Sequence, residues 1–164
     1  MKALNENKNG RVITFDFDNT IIKSFDNGEE NQGDFQFGGV NHEIIKRMKK
    51  FKESGATVLV VSSRHQSRED SATNIRTALD GLGIEVGGVF YTNGQLKAQK
   101  LYELGSSLHY DDDPAEHEAI NAYGNLHKNF DITVKFPDDL IADTNEVSKG
   151  VILTADGLFV IVKR

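Results

Sequence analysis

The sequence predicts an α/β fold built on a doubly wound parallel sheet. Short apolar segments alternate along the chain with helical patterns of about 10–15 residues, which is typical of such folds. One of these segments, Thr57 to Val61, is continuously apolar, as in a strand that is buried on both faces. With 164 residues, 38% of them hydrophobic, the chain can bury a core without a stabilising metal or disulfide.

The first half of the chain supplies a strand, a hairpin, a helix and a second strand. Residues 12–17 are β-branched or aromatic at most positions and precede a turn, which predicts the first strand. Residues 21–40 provide enough chain for a short hairpin, the flap. Asn41 stands at the N-cap of a helix whose apolar residues recur at helical spacing and which stops at Gly55. Residues 57–61 form the second strand.

The second half continues the alternation and then departs from it. Helices are predicted through Ala72, Ile75, Leu79 and Leu82, over about 96–104, and from Pro114 to about Tyr123; strands are predicted at 89–91, 108–110 and 132–136. The tail breaks the pattern, because two apolar segments, 151–153 and 158–162, flank a turn at 155–157. This predicts an added antiparallel hairpin.

Composition places the chain among soluble single-domain proteins. We expect one domain over 1–164, with a core over about 10–136 and an extension over about 137–164. The absence of cysteine excludes a disulfide framework, a thiolate nucleophile and a Cys-ligated metal. No apolar stretch approaches about 18 residues and the N-terminus is polar, so we expect no membrane contact and a cytoplasmic location. A net charge of −6 argues mildly against non-specific nucleic-acid binding.

Polar residues come after four of the five strands predicted for the sheet, at the edge where open parallel sheets bind ligands. They are Asp16, Asp18 and Thr20 after the first strand, Ser62, Ser63 and Arg64 after the second, Lys97 and Lys100 in the helix after the third, and Asp111, Asp112 and Asp113 after the fourth. Carboxylates, hydroxyls and cations therefore converge on one edge. Phosphoryl transfer needs this set, because it requires a nucleophile, a metal and cations for the phosphate oxygens.

Four of these segments resemble the motifs of the haloacid dehalogenase (HAD) superfamily, in the family's order over about residues 10–136. Phe15 to Thr20 is similar to the Asp-x-Asp-x-Thr signature, and Val58 to Ser62 is similar to the second motif. Lys97 resembles the third motif, and the Asp111-Asp112 pair resembles the fourth. The resemblance implies a HAD-type, Rossmann-like phosphatase that forms an aspartyl-phosphate.

The resemblance also implies a role for each residue. Asp16 would be the nucleophile, and Asp18 would protonate the leaving group and then activate water. Ser62 and Lys97 would contact the phosphoryl group and balance its charge. Mg²⁺, which prefers oxygen ligands, would be held by Asp16, the carbonyl of Asp18, Asp111 and Asp112.

Three assignments stay open within this set. Lys97 matches the family's spacing better than Lys100, which lies one turn later. The direct metal ligand is Asp111 or Asp112, with the other orienting the metal. Asp113 precedes Pro114 and is read as a helix N-cap rather than a ligand.

The lengths between motifs leave no room for a cap domain, so we expect a capless member with an open site. Ser62-Ser63-Arg64 resembles the Ser-Gly-Arg of the phosphatase domain in polynucleotide kinase-phosphatases, with Ser63 in place of the glycine. That resemblance implies removal of 3′-phosphates from polynucleotide ends, with Thr20, Ser63 and Arg64 at the substrate.

Two other readings remain. One is a small-molecule phosphatase for a sugar phosphate or nucleotide, with a lid supplied by a neighbouring subunit of an oligomer. The other is a phosphate-accepting switch or a binding module without turnover. A switch would place its acidic pair and its phosphorylated Asp on different strands, whereas Asp16 and Asp18 follow the same one.

Overall fold

The computed structural model describes residues 10–26, 35–69, 73–138, 151–153 and 160–162. The strands are β1 (Val12–Phe15), β2 (Ile22–Asp26), β3 (Phe35–Val40), β4 (Thr57–Ser62), β5 (Gly88–Tyr91), β6 (Leu108–Tyr110), β7 (Thr133–Lys135), β8 (Val151–Leu153) and β9 (Val160–Val162). The helices are α1 (His42–Glu53), α2 (Ile75–Gly81), α3 (Ala98–Leu104) and α4 (Pro114–Leu126).

The main sheet is parallel and doubly wound, as the sequence predicts. Its five strands lie in the order β5-β4-β1-β6-β7, and every neighbouring pair is parallel. The chain builds outward from β1 through β4 to β5, and then crosses to the other side for β6 and β7. The strand order therefore reverses beside β1, which is where open α/β sheets form their binding crevices.

Two apolar layers cover the sheet, one on each face. Helices α1 and α2 pack with residues such as Ile44 and Leu79 against one face, and α3 and α4 pack with Leu101 and Ile120 against the other. Strand β4 contributes Val58 and Val60 to the first layer and Val61 to the second. The prediction that this strand is buried on both faces is thus confirmed, and its continuous apolar run is explained.

The helices begin at the capping residues that the sequence offers. Asn41 caps α1, since its side chain accepts a hydrogen bond from the Ile44 N–H, and Asp113 caps α4 in the same way through Ala115 N–H. Both predicted N-caps are confirmed. Helix α2 begins after Asn74, which caps it, while Ala72 lies outside the described residues.

Replacing the cap of α1 should weaken the fold measurably. Asn41→Ala removes an acceptor from a helix N-terminus whose cap residue is 5% exposed, and we expect a loss of about 1 kcal/mol in the free energy of unfolding. Urea unfolding measures this loss. Asn121→Ala is the control, because it lies at an exposed position inside α4 and should not destabilise. Equal urea midpoints for Asn41→Ala and Asn121→Ala would contradict a stabilising role for the Asn41 cap.

Both predicted hairpins are present. Strands β2 and β3 pair antiparallel and form the flap, and β8 and β9 pair antiparallel near the C-terminus. Residues 27–34 of the flap and the predicted turn at 155–157 lie outside the described residues. Across the described ranges, no helix combines the length and apolarity needed to span a bilayer.

Candidate active site

Two carboxylates meet where β1 and β6 end. The strands pair in parallel with Phe15 opposite Tyr110, so the next residues, Asp16 and Asp111, leave the sheet side by side. The Asp16 N–H donates to the Tyr110 carbonyl at 2.9 Å, which fixes its backbone against β6. Both side chains are buried, with Asp16 5% exposed and Asp111 fully covered.

Lys97 bridges these two carboxylates. Its ammonium lies 2.7 Å from Asp16 Oδ1 and 2.7 Å from Asp111 Oδ2, and the residue is 2% exposed. The Lys97 N–H donates to Glu116 Oε1 at 2.9 Å, which anchors the backbone just before α3. Lys100 instead pairs with Glu103 at 3.6 Å on the outer side of α3. Of the two lysines that the sequence left open, the structure brings Lys97 to the carboxylates.

A third carboxylate completes a cluster that fits a hard cation. Asp16, Asp111 and Asp112 each offer an oxygen, and these oxygens lie within 4.8 Å of one another. An all-oxygen donor set of this kind suits Mg²⁺ rather than a softer metal. Asp113 is absent from the cluster because its side chain caps α4.

Burial and the shared lysine set the pKa values of this cluster. Burial raises the pKa of Asp16 well above its ordinary value, because Lys97 only partly offsets it and Asp111 adds to it. Burial acts in the same direction on Asp111, but the hydrogen bond from His109 and the charge of Lys97 outweigh it, and the pKa falls to about 2. Burial disfavours the ammonium of Lys97, yet the two carboxylates outweigh this and raise its pKa.

Asp18 is held by Arg64 rather than by the cluster. Arg64 Nε donates to Asp18 Oδ2 and Nη2 donates to Asp18 Oδ1, both at 2.8 Å, which is a bidentate pair. Arg64 Nη1 also donates to Glu69 Oε1 at 2.6 Å and to the Thr73 carbonyl at 2.8 Å. Ser24 from β2 donates its hydroxyl to Asp18 Oδ1 at 2.6 Å.

A tight turn directly after Asp18 connects the end of β1 to the flap. Asn19 has a φ of 65°, a left-handed conformation that asparagine tolerates better than most residues. Its side chain accepts the Ser24 N–H at 3.0 Å, which ties the turn to the flap. The chain therefore reverses directly after Asp18.

The predicted hydroxyl residues occupy different positions around the site. Thr20 is buried and donates to Asp16 Oδ2 at 2.9 Å, with Asp112 Oδ1 3.4 Å away. Ser62 is 1% exposed, and its Oγ accepts the Arg64 N–H at 3.0 Å. Ser63 is exposed and lines the cavity beside the carboxylates.

The cavity over these residues has a strongly acidic lining. It measures about 240 Å³ and is lined by Asp16, Asp18, Asn19, Ser63, Lys97, Asp111, Asp112, Asp113, Pro114 and Glu116. Six of these side chains carry a carboxyl group and one carries an ammonium. So much like charge repels an anion unless a cation offsets it.

Three residues that hold side chains of the site in place were not predicted from the sequence. His109 hydrogen-bonds Asp111, Glu116 anchors Lys97, and Glu69 holds Arg64. For His109 a signal was available, since residues two apart on a strand share a face and His109 precedes Asp111 by two. Glu69 gave no comparable signal, because its contact depends on how the segment after β4 folds back.

Comparison with known proteins adds one match. Residues 11–86, a little under half of the chain, match the family model described as polynucleotide kinase 3 phosphatase. That range contains Asp16, Asp18 and Arg64, whereas Lys97 and Asp111 lie beyond it. No curated protein and no solved structure matches the chain. The predicted resemblance is therefore confirmed over residues 11–86, where the chain is similar to the polynucleotide kinase 3 phosphatase family.

Proposed function

We propose that the protein is a Mg²⁺-dependent phosphomonoesterase that removes 3′-phosphates from polynucleotide ends through an aspartyl-phosphate. The observation that carries the chemistry is the position of Asp16: its carboxylate lines the cavity, accepts a hydrogen bond from Lys97, and belongs with Asp111 and Asp112 to a cluster that could hold a cation. The polynucleotide end as substrate is supported by the family match over residues 11–86.

Asp16 is the nucleophile in this proposal. Lys97 donates to one of its oxygens and Thr20 to the other, so the carboxylate plane is fixed before the substrate arrives. A carboxylate oxygen attacks phosphorus and the bond to the leaving alcohol breaks, which places the phosphoryl group on Asp16. Preorganised contacts of this kind lower the cost of reaching the transition state.

Asp18 acts first as the general acid and then as the general base in this proposal. It donates a proton to the departing alcohol oxygen, and then accepts one from the water that attacks the phosphorus of the aspartyl-phosphate. Inorganic phosphate leaves and Asp16 is regenerated. Ser24 and Arg64 hold Asp18 at the cavity wall, two residues beyond the nucleophile.

The remaining residues bind and balance charge. A divalent cation held by Asp16, Asp111, Asp112 and the Asp18 carbonyl would neutralise the phosphate and the surrounding carboxylates. Lys97 supplies a further positive charge, and Ser63, which lines the cavity, donates a hydrogen bond to a phosphoryl oxygen. Ser62 is 1% exposed and does not line the cavity, so its hydroxyl reaches a phosphoryl oxygen only if the wall of the cavity moves. Between β1 and α1 the described residues form only the two flap strands, which supports a capless site open to a polymer end.

A matched pair of oligonucleotides tests the substrate assignment. The same sequence carrying either a 3′- or a 5′-phosphate is incubated with the protein in Mg²⁺ or in EDTA, alongside a nucleoside 3′-monophosphate and a sugar phosphate. We expect Mg²⁺-dependent phosphate release with a preference of about tenfold or more for the 3′-phosphorylated oligonucleotide. Preference for either small molecule would mean that the substrate is a metabolite rather than a polynucleotide end. No phosphate release from any of these substrates would overturn the proposed phosphatase activity.

Arg64 serves the reaction through Asp18 in this proposal, although the resemblance implied a contact with phosphate. Arg64→Lys keeps a positive charge but loses the bidentate pair. We expect kcat for an oligonucleotide 3′-phosphate to fall about 10–100-fold, because Asp18 is misplaced, with little change in KM. Steady-state kinetics measure both constants.

The leaving group separates the two roles of Arg64. An aryl phosphate needs no proton on its leaving oxygen, so Arg64→Lys should slow its reaction less than that of the oligonucleotide. Arg76→Lys, at an exposed position on α2, is the matched control. A rise in KM with unchanged kcat would assign Arg64 to phosphate binding instead.

A further inference from the structure

A buried polar chain runs from the core of the sheet to the carboxylate cluster. It starts at Ser106, passes through Thr14 on β1 and His109 on β6, and ends at Asp111. The Thr14 hydroxyl lies 2.8 Å from Ser106 Oγ and 2.8 Å from His109 Nδ1. His109 Nε2 lies 2.8 Å from Asp111 Oδ2. Thr14, His109 and Asp111 are fully buried and Ser106 is 3% exposed.

At the active-site end of this chain, Asp111 accepts every hydrogen bond in which its carboxylate takes part. A carboxylate only accepts, so His109 Nε2 carries the hydrogen and donates it to Asp111 Oδ2. The same oxygen accepts from Lys97 at 2.7 Å, and Oδ1 accepts from the Asp113 N–H at 3.1 Å. Asp111 is therefore held on both oxygens, with His109 and Lys97 together on Oδ2.

We propose that His109 is a positioning residue that fixes Asp111 for cation binding. The imidazole contacts neither Asp16 nor Asp112 among the hydrogen bonds of the described site, and acts only through Asp111. The Thr14 hydroxyl holds the imidazole ring at Nδ1, so the N–H at Nε2 points towards Asp111. Residues that orient a metal ligand in this way typically contribute about 10–100-fold to metal affinity. The inference rests on the proposed cation site.

Packing alone does not explain a histidine here. Its strand neighbours Leu108 and Tyr110 belong to the apolar layer under α1, and the strands of a parallel sheet are ordinarily apolar on both faces. A fully buried imidazole must have both nitrogens satisfied, or it costs free energy that an aliphatic residue would not. In this chain Thr14 and Asp111 satisfy them, and the hydrogen bond that results points at the cluster.

Direct cation binding tests the inference separately from activity. Mg²⁺ is titrated calorimetrically into the metal-free wild type, His109→Leu and His109→Gln. We expect His109→Leu to weaken the Kd for Mg²⁺ about 10–100-fold. His109→Gln offers an amide N–H in place of Nε2–H and should recover most of the affinity.

Thr14→Val is the second variant, because it removes only the hydroxyl that holds the ring and replaces it with a methyl group. It should weaken Mg²⁺ binding several-fold. If His109→Leu does not fold, the Mg²⁺ affinities of Thr14→Val and His109→Gln test the inference in its place. Wild-type affinity in a folded His109→Leu, or in Thr14→Val if that variant alone folds, would overturn the inference and leave the proposed function standing. No Mg²⁺ binding by the wild type would overturn both the inference and the metal dependence, whereas phosphate release in the substrate assay tests the phosphatase itself.

Discussion

Asp16→Asn is expected to abolish Mg²⁺-dependent phosphate release, with a loss of about 10⁴-fold or more, as when other covalent nucleophiles are removed. The substituted amide is a poor nucleophile and has lost the negative charge that a cation would bind. Initial rates of phosphate release from a 3′-phosphorylated oligonucleotide measure the effect. Asp80→Asn, which lies at an exposed position on α2, is the matched control and should retain full activity.

Stability should separate this loss from a folding defect. Burial raises the pKa of Asp16 in the metal-free protein, so ionised Asp16 opposes folding as the pH rises above the pKa of the unfolded chain. At neutral pH, Asp16→Asn should therefore unfold at the same temperature as the wild type or at a higher one. An active Asp16→Asn would exclude the aspartyl-phosphate mechanism. A variant that unfolds at a lower temperature than the wild type would show that the lost contact with Lys97 outweighs the effect of the raised pKa of Asp16.

Lys97→Met is expected to reduce both stability and activity. The methionine fills much of the buried space but leaves Asp16 and Asp111 without the ammonium that lies 2.7 Å from each. Removing one member of a buried ion pair costs about 3–5 kcal/mol, and losing one preorganised charge contact lowers kcat by about 10²–10³-fold. Urea unfolding and steady-state rates measure the two losses.

Added Mg²⁺ and a control variant at a neighbouring lysine make the Lys97→Met experiment more specific. Since a cation in the cluster would replace part of the lost positive charge, added Mg²⁺ should stabilise Lys97→Met more than it stabilises the wild type. Lys100→Met is the control: its pair with Glu103 is long, at 3.6 Å, and half-exposed, so we expect a change within about 1 kcal/mol. Equal losses in the two variants would contradict the central position of Lys97.

The sequence was sufficient to predict that Asp16 and Asp111 would be neighbours. Their prediction needs only the order of the strands and the rule that parallel strands end at one edge, and both follow from local patterns. The N-caps at Asn41 and Asp113 were predictable for the same reason, since a cap depends on residues within one helical turn.

Contacts between distant segments were beyond such reasoning. Lys97 and Lys100 stand one turn apart, so only the packing of α3 against the sheet decides which one reaches the carboxylates. Arg64 suits carboxylate and phosphate equally well, and its partner Asp18 lies 46 residues earlier. The sequence therefore predicted the residue types at the site more fully than it predicted which pairs form.

The most direct test of the proposed mechanism is to trap the phosphoryl group on Asp16. Asp18→Asn is mixed with an aryl phosphate and Mg²⁺, since this leaving group needs no acid while hydrolysis of the intermediate lacks its base. Borohydride then reduces an acyl phosphate to the alcohol, and mass spectrometry of the peptides locates it. We expect homoserine at position 16. Release of the aryl alcohol with an unmodified Asp16 would contradict the aspartyl-phosphate.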